Sequence, residues 1–167
     1  MDALDVLIDA AARPVEAATA LREQLTPEVL AAHPGGHDNS PAWLLWHTAR
    51  EIDAQRADLS GTEQVWTAQG FRERFALGEL GDGIGYGHTP EQARAVSVTD
   101  ADLLLEHLAA VTDELIRYLR TLDADDLDAV IDTSWEPPVT RGVRLISIID
   151  DAAQHVGQAA YAVGARR

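Results

Sequence analysis

No cysteine occurs anywhere in this sequence. That absence excludes disulfide stapling, thiolate-bound zinc and a cysteine nucleophile. It leaves the redox compartment open, because a cysteine-free chain folds in either setting. Lysine is missing too. All 13 basic residues are arginine, against 28 acids, for a net charge of -15. A phosphate backbone would be repelled by that field, so nucleic acid is excluded as a partner. The arginine bias, with abundant Ala, Asp and Gly, fits GC-rich coding better than any mechanism. No apolar run approaches the roughly 18 residues that would suggest a membrane span. The opening "MDALDVLIDAAARPVEAA" carries acids early and no basic stretch, so it does not read as a secretory signal. These absences together lead us to expect a soluble, cytoplasmic chain with no membrane partner. Two catalytic signatures are also lacking. There is no GxSxG, and no GK[ST] follows the glycines of "GELGDGIGYGHTPEQ".

What is present is a folding chain. Apolar residues make up 46% of the 167, enough to bury a core in one domain, expected over residues 1–167. Helical periodicity dominates. From Ala3 to about Leu25, Leu4, Leu7, Ile8, Ala11, Val15, Ala18 and Leu21 fall on one stripe, with Pro14 marking a kink or break. Thr26 caps a short turn and Pro27 suits its first position. A second helix opens at Ser40 and Pro41, continues to about Leu59 and ends at Gly61. Thr99 is expected to cap a third, whose buried stripe is Leu104, Leu108, Val111, Leu115 and Leu119. A fourth covers about Thr140 to Val163 and stops at Gly164. Between them, "TEQVWTAQ" and "FRERFAL" suit short helical turns, and "GELGDGIGYGHTPEQ" reads as a loop. "DAVIDTSW" is the one strand candidate. The fold class expected is all-α, a four-helix bundle with short extra helical turns in its long connections.

Some polar residues do not fit this pattern. "IIDDAAQHVGQ" sets Asp151 and His155 four apart, so on a helix they share a face one turn apart. Their neighbours are Ile148, Ile149, Ala152, Val156 and Ala159. An unpaired carboxylate buried there would be costly. The pair therefore either faces solvent or chelates. His47 in "AWLLWHTAR" is similarly set among Trp43, Leu44 and Trp46. Taken singly, a histidine on an apolar face is ordinarily a hydrogen-bonded core residue. One histidine from one helix and an acid–histidine pair from another is also how bundle cores assemble metal sites. Two imidazoles and one carboxylate suit Zn²⁺, and equally Ni²⁺ or Fe²⁺. Three protein ligands leave an open position, as in a catalytic site. Gln154, Gln158 and Asp150 are candidates to orient a ligand or a bound water. Asp150 is turned about 100° from Asp151 and is at least as well explained as a surface acid or an intersubunit partner.

The remaining signals are weaker. His33 and His37 in "HPGGH" are spaced like ligands, but Pro34 and two glycines exclude helical alignment. His88 is a candidate for a pocket mouth. His107, at the edge of the third stripe, reads as structural. Trp43, Trp46, Trp66 and Trp135 read as core or pocket wall.

"NSPAWLLWHTAREID", followed far downstream by "IIDDAAQHVGQAAYAVG", resembles the DinB-like superfamily, and within it the mycothiol-transferase-like branch. "GIGYGHTPEQ" is similar to an interhelical loop of that branch, and "HVGQ" matches its H-x-G-Q. The resemblance covers essentially the whole chain. It implies a four-helix bundle, often dimeric, so a homodimer is expected. It implies divalent-metal ligands at His47, Asp151 and His155, with Asp151 standing where many members have histidine. Maleylpyruvate isomerases of the superfamily resemble such a His/carboxylate/His set. It further implies a thiol S-transferase or isomerase, in which a low-molecular-weight thiol such as mycothiol attacks an electrophilic small molecule. Beside it stand a non-catalytic metal- or small-molecule-binding bundle and a structural dimer with a vestigial site.

Overall fold

Asp2 starts the first helix, α1 (Ala3–Thr19), through a reciprocal capping box with Asp5. The computed structural model describes residues 1–165, so Arg166 and Arg167 of the expected domain lie outside the described residues. The helix ends at Thr19 rather than near Leu25. A 3-10 turn at Arg22–Gln24 takes up the remainder, and Pro14 sits buried inside α1. Thr26 caps α2 (Pro27–Leu30) from its side chain. Ser40 does the same for α3 (Pro41–Ser60), and Gly61 closes that helix in the left-handed conformation that glycine adopts freely. The last two long helices are α8 (Ala101–Leu119) and α9 (Arg141–Gly164). The cap of α8 is Asp100, whose carboxylate accepts from Leu103 N at 3.0 Å, and not Thr99. Gly164 is the final residue of α9, with the cap at Ala165.

The four long helices form the expected bundle. α3 packs on α8 and α9, and α1 packs on the same two from the opposite side. The stripe of α8 is fully internal: Leu104, Leu108, Val111, Leu115 and Leu119 are each at most 1% exposed. At about 1.5–3 kcal/mol per such side chain, this seam is a major source of stability. Tyr118 near the end of α8 donates to the Leu59 carbonyl near the end of α3, so these helices run parallel. They therefore need the long crossover of residues 61–100.

That crossover is more helical than its composition suggests. It holds α4 (Val65–Ala68), α5 (Phe71–Phe75), α6 (Glu79–Asp82) and α7 (Pro90–Ala95). α6 lies wholly, and α7 partly, within the stretch expected to be loop. Asp53 of α3, fully buried, anchors it by accepting from Val65 N and Trp66 N, each at 2.8 Å. Arg50 and Arg56 flank that carboxylate. Arg50 also lies over the Trp66 ring and donates to the Asp82 and Gly83 carbonyls, each at 3.2 Å.

The strand candidate is correct in kind. β1 (Val130–Asp132) pairs antiparallel with β2 (Val139–Thr140) before Thr140 caps α9. Trp135 lies between these strands and is 65% exposed. The core or wall role expected of it is overturned: a two-stranded hairpin has no layer to bury it. Trp43, Trp46 and Trp66 are buried. Among the described residues, no helix is long and apolar enough to cross a membrane.

Candidate metal centre

α3 brings His47 into the bundle with 4% exposure. Its ring stacks on Trp43, with centroids 4.5 Å apart and planes at 17°. His47 Nδ1–H donates to the main-chain carbonyl of Ile84, on the crossover. That bond fixes the tautomer and leaves the Nε2 lone pair available, as in metal-ligating histidines. The crossover comes this close only because residue 85 is glycine. Gly85 has φ +89°, and a Cβ there would lie 3.0 Å from both Trp43 and Trp46 and 3.1 Å from His47 Nδ1.

α9 supplies the other side. His155 meets His47 edge-on, with ring centroids 4.6 Å apart. Its Nδ1–H donates to the Asp151 carbonyl, one turn back, at 2.9 Å, so again Nε2 is left over. Asp151 Oδ2 lies 3.3 Å from the same Nδ1. That N–H is already committed to the main chain, and Oδ2 is buried without a hydrogen bond of its own. One ligand atom from each of His47, Asp151 and His155 lies within 4.8 Å of the others. The electrostatics of the two imidazoles diverge. The Asp151 carboxylate holds His155 above the ordinary imidazole range, against burial. Burial pushes His47 below it, against the Ile84 carbonyl. Two available imidazole nitrogens and an orphaned carboxylate oxygen, on rigid helices, fit a divalent cation with one open side.

The sequence matches the family model described as the DinB superfamily over residues 12–159. The chain belongs to the DinB superfamily. This DinB-superfamily chain is also similar to a crystal structure described as a conserved protein of locus from Enterococcus faecalis. The two are 37% identical, over 98% of this chain and 96% of that one, with a TM-score of 0.89. No curated protein matches.

The other candidate residues of this DinB-superfamily chain fall into place around the cluster. Trp43 links it to His88, donating from Nε1 to His88 Nδ1 at 3.2 Å. The His88 ring stacks on Trp46, with centroids 5.8 Å apart. Gln158 is exposed and lines a cavity of about 310 Å³ with Leu44, His37, Asn39 and Tyr161. This cavity begins one turn from His47 on α3 and one turn from His155 on α9. Gln154 turns away and donates to exposed Asp150 at 2.6 Å, so both leave the cluster alone. His33 and His37 hydrogen-bond within their own loop. A larger cavity, about 830 Å³, contains Arg72 and Asp82, but these two side chains are already paired. Two contributors escape a sequence reading: the Ile84 carbonyl and Gly85. Glu51 on α3, four residues after His47, adds to the field that raises His155.

Proposed function

We propose that this chain is a divalent-metal-dependent thiol S-transferase, with mycothiol or a similar low-molecular-weight thiol attacking an electrophilic small molecule. The observation that carries the metal half is the convergence of His47, Asp151 and His155, with both Nδ1 groups committed to carbonyls and Asp151 Oδ2 buried without a hydrogen bond. Support for the thiol half is the resemblance of "IIDDAAQHVGQ" and "GIGYGHTPEQ" to the mycothiol-transferase-like branch. The lack of cysteine agrees with it, since any thiol must come from outside the chain.

His47, Asp151 and His155 would hold the cation, Zn²⁺ first and Ni²⁺ or Fe²⁺ next. Bound there, it would supply a Lewis-acidic centre that lowers the pKa of a thiol beside it. The chain does the rest. Trp43 and His88 wall the cluster and restrict water. The cavity lined by Gln158, Asn39 and Tyr161 takes the body of the thiol, leaving its sulfur at the open side. In the transfer the thiol proton passes to solvent, the sulfur electron pair forms the new bond to the electrophilic carbon, and the bond from that carbon to its leaving group breaks, the electron pair departing with that group.

Metal analysis of purified protein is the first test. Wild type should carry a stoichiometric divalent ion, and His47→Ala and His155→Ala should lose it while remaining folded. Full metal content in both variants would reject this ligand set. Metal-loaded wild type should then conjugate mycothiol to a model electrophile above the uncatalysed rate. Loaded protein that does so with no small thiol would leave a cation- or small-molecule-binding bundle without catalysis. Protein that takes up no metal would leave a structural dimer with a vestigial site.

A further inference from the structure

Glu51 stands in a relation to the cluster that its sequence position alone does not reveal. His47 and Glu51 are four apart on α3, as Asp151 and His155 are on α9. Each pair therefore shares a helix face, one turn apart. α3 and α9 run antiparallel, and their register is visible in three places. Leu44 and Gln158 line one cavity, the rings of His47 and His155 meet, and Asp58 and Arg144 line another cavity. Continuing that register sets Glu51 across from Asp151, as His47 is set across from His155. The electrostatics agree with the placement. Burial, then the Asp151 charge, raises the Glu51 carboxyl above its ordinary range, and Glu51 contributes to raising His155.

Two carboxylates facing one another in a half-buried seam repel, and among the described residues His155 is the base that eases the Glu51 charge. A divalent cation changes the balance. Two neutral imidazoles and the Asp151 carboxylate neutralise only half of its charge, and a second carboxylate completes the neutralisation. Glu51 is not one of the three residues whose ligand atoms lie within 4.8 Å of one another, so it acts from just outside direct ligation. Gln55 Nε2 donates to Glu51 Oε2 at 2.7 Å, which steadies the side chain and leaves Oε1 uncommitted.

We infer that Glu51 is the second carboxylate of this centre, offsetting the charge that Asp151 leaves over and accepting a hydrogen bond from the water or thiol on the open side. This rests on the cation reading of the site and not on the thiol reading.

The test is Zn²⁺ affinity by chelator competition, with thermal unfolding of each protein with and without Zn²⁺. The proteins are full-length wild type, Glu51→Gln, Glu51→Asp and His47→Ala. Glu51→Gln should weaken Zn²⁺ binding by about 10- to 100-fold, and Glu51→Asp should fall between it and wild type. Without metal, Glu51→Gln should unfold no lower than wild type, because the repulsion with Asp151 is gone. A merely structural Glu51 would show the opposite sign. Wild-type affinity in Glu51→Gln, with His47→Ala devoid of zinc, overturns the role of Glu51 alone. Metal-free Glu51→Gln that unfolds well below metal-free wild type also overturns it. No Zn²⁺ binding by wild type overturns the cation reading and this inference with it.

Discussion

His107 is fully buried among Trp66, Phe71 and Phe75, and neither ring nitrogen has a hydrogen-bond partner among the described residues. Burial, reinforced by the charges of Arg50 and Arg74, pushes it down to about 3. It is therefore neutral in the folded protein throughout the physiological range. Unfolded, it titrates near its ordinary value of about 6.5. Between those two values the unfolded chain binds the extra proton, so acidification favours unfolding. The folded state should lose about 1.4 kcal/mol per pH unit from this residue alone as pH falls below about 6.5, levelling off near the folded value. His107→Phe keeps the aromatic packing and removes the proton site. Denaturant titrations from pH 7.5 to pH 5 should show the variant losing less stability than wild type over that interval. Parallel pH dependences in the two proteins would reject the assignment. The structural role read for His107 from the α8 stripe and this titration have one cause, an imidazole used as an aromatic filler.

The crossover of residues 61–100 is the element that converts a bundle into a site. Arg50 holds the carbonyls of residues 82 and 83, Ile84 holds His47, and Gly85 lets the backbone approach. Gly85→Ala adds a methyl group at a positive φ against two indoles and an imidazole. It should destabilise the fold by about 1–3 kcal/mol and, by displacing the Ile84 carbonyl, weaken metal uptake. Unfolding and metal analysis of the same preparation check both halves. A Gly85→Ala protein with wild-type metal affinity would show that the carbonyl does not position His47. This element also marks the boundary of what a sequence discloses. The four long helices were legible because each repeats its apolar residues often enough to define a face, and because Ser40 precedes one of them as a cap. The pairing of Asp151 with His155 was legible for the same reason, as one turn of one helix. α6 and α7 were not, since they fall in or beside a glycine-rich stretch that reads as loop, and elements of four and six residues carry too few apolar positions to overrule it. The Ile84 carbonyl was not, because every residue has one. Thr99 and Asp100 are both competent caps, and only the backbone conformation decides between them. Gln154 was misread because a helix face predicts direction, while its bond to Asp150 depends on a rotamer. Trp135 was misread because aromatic composition says nothing about whether a second layer exists to cover it.

Across the whole molecule, α9 has one face in the bundle and one face outside it. Val143, Ile146, Asp150, Ala153, Gly157 and Tyr161 recur at three- and four-residue steps and are all exposed. Ile146 is 59% and Tyr161 78% exposed, and a Cβ on Gly157 would meet nothing within 4 Å. Large apolar side chains stand at both ends, Asp150 is paired to Gln154, and the small Ala153 and Gly157 would let a second helix approach closely beside them. We propose that a second copy of this chain packs on that face, giving a homodimer. Each copy carries a net charge of -15, so association works against long-range repulsion. Salt screens such repulsion beyond roughly 10 Å at about 0.1 M, while buried apolar contacts are not weakened by it. The dimer should therefore tighten as salt rises from low to physiological strength, the reverse of an interface held by ion pairs. Sedimentation velocity across that range checks the sign. Ile146→Asp should give a folded monomer at every salt concentration, because it removes an apolar anchor and adds a second acid to a face where each copy already carries Asp150. A wild-type monomer under all conditions rejects the dimer. A dimer that persists in Ile146→Asp places the interface on another face.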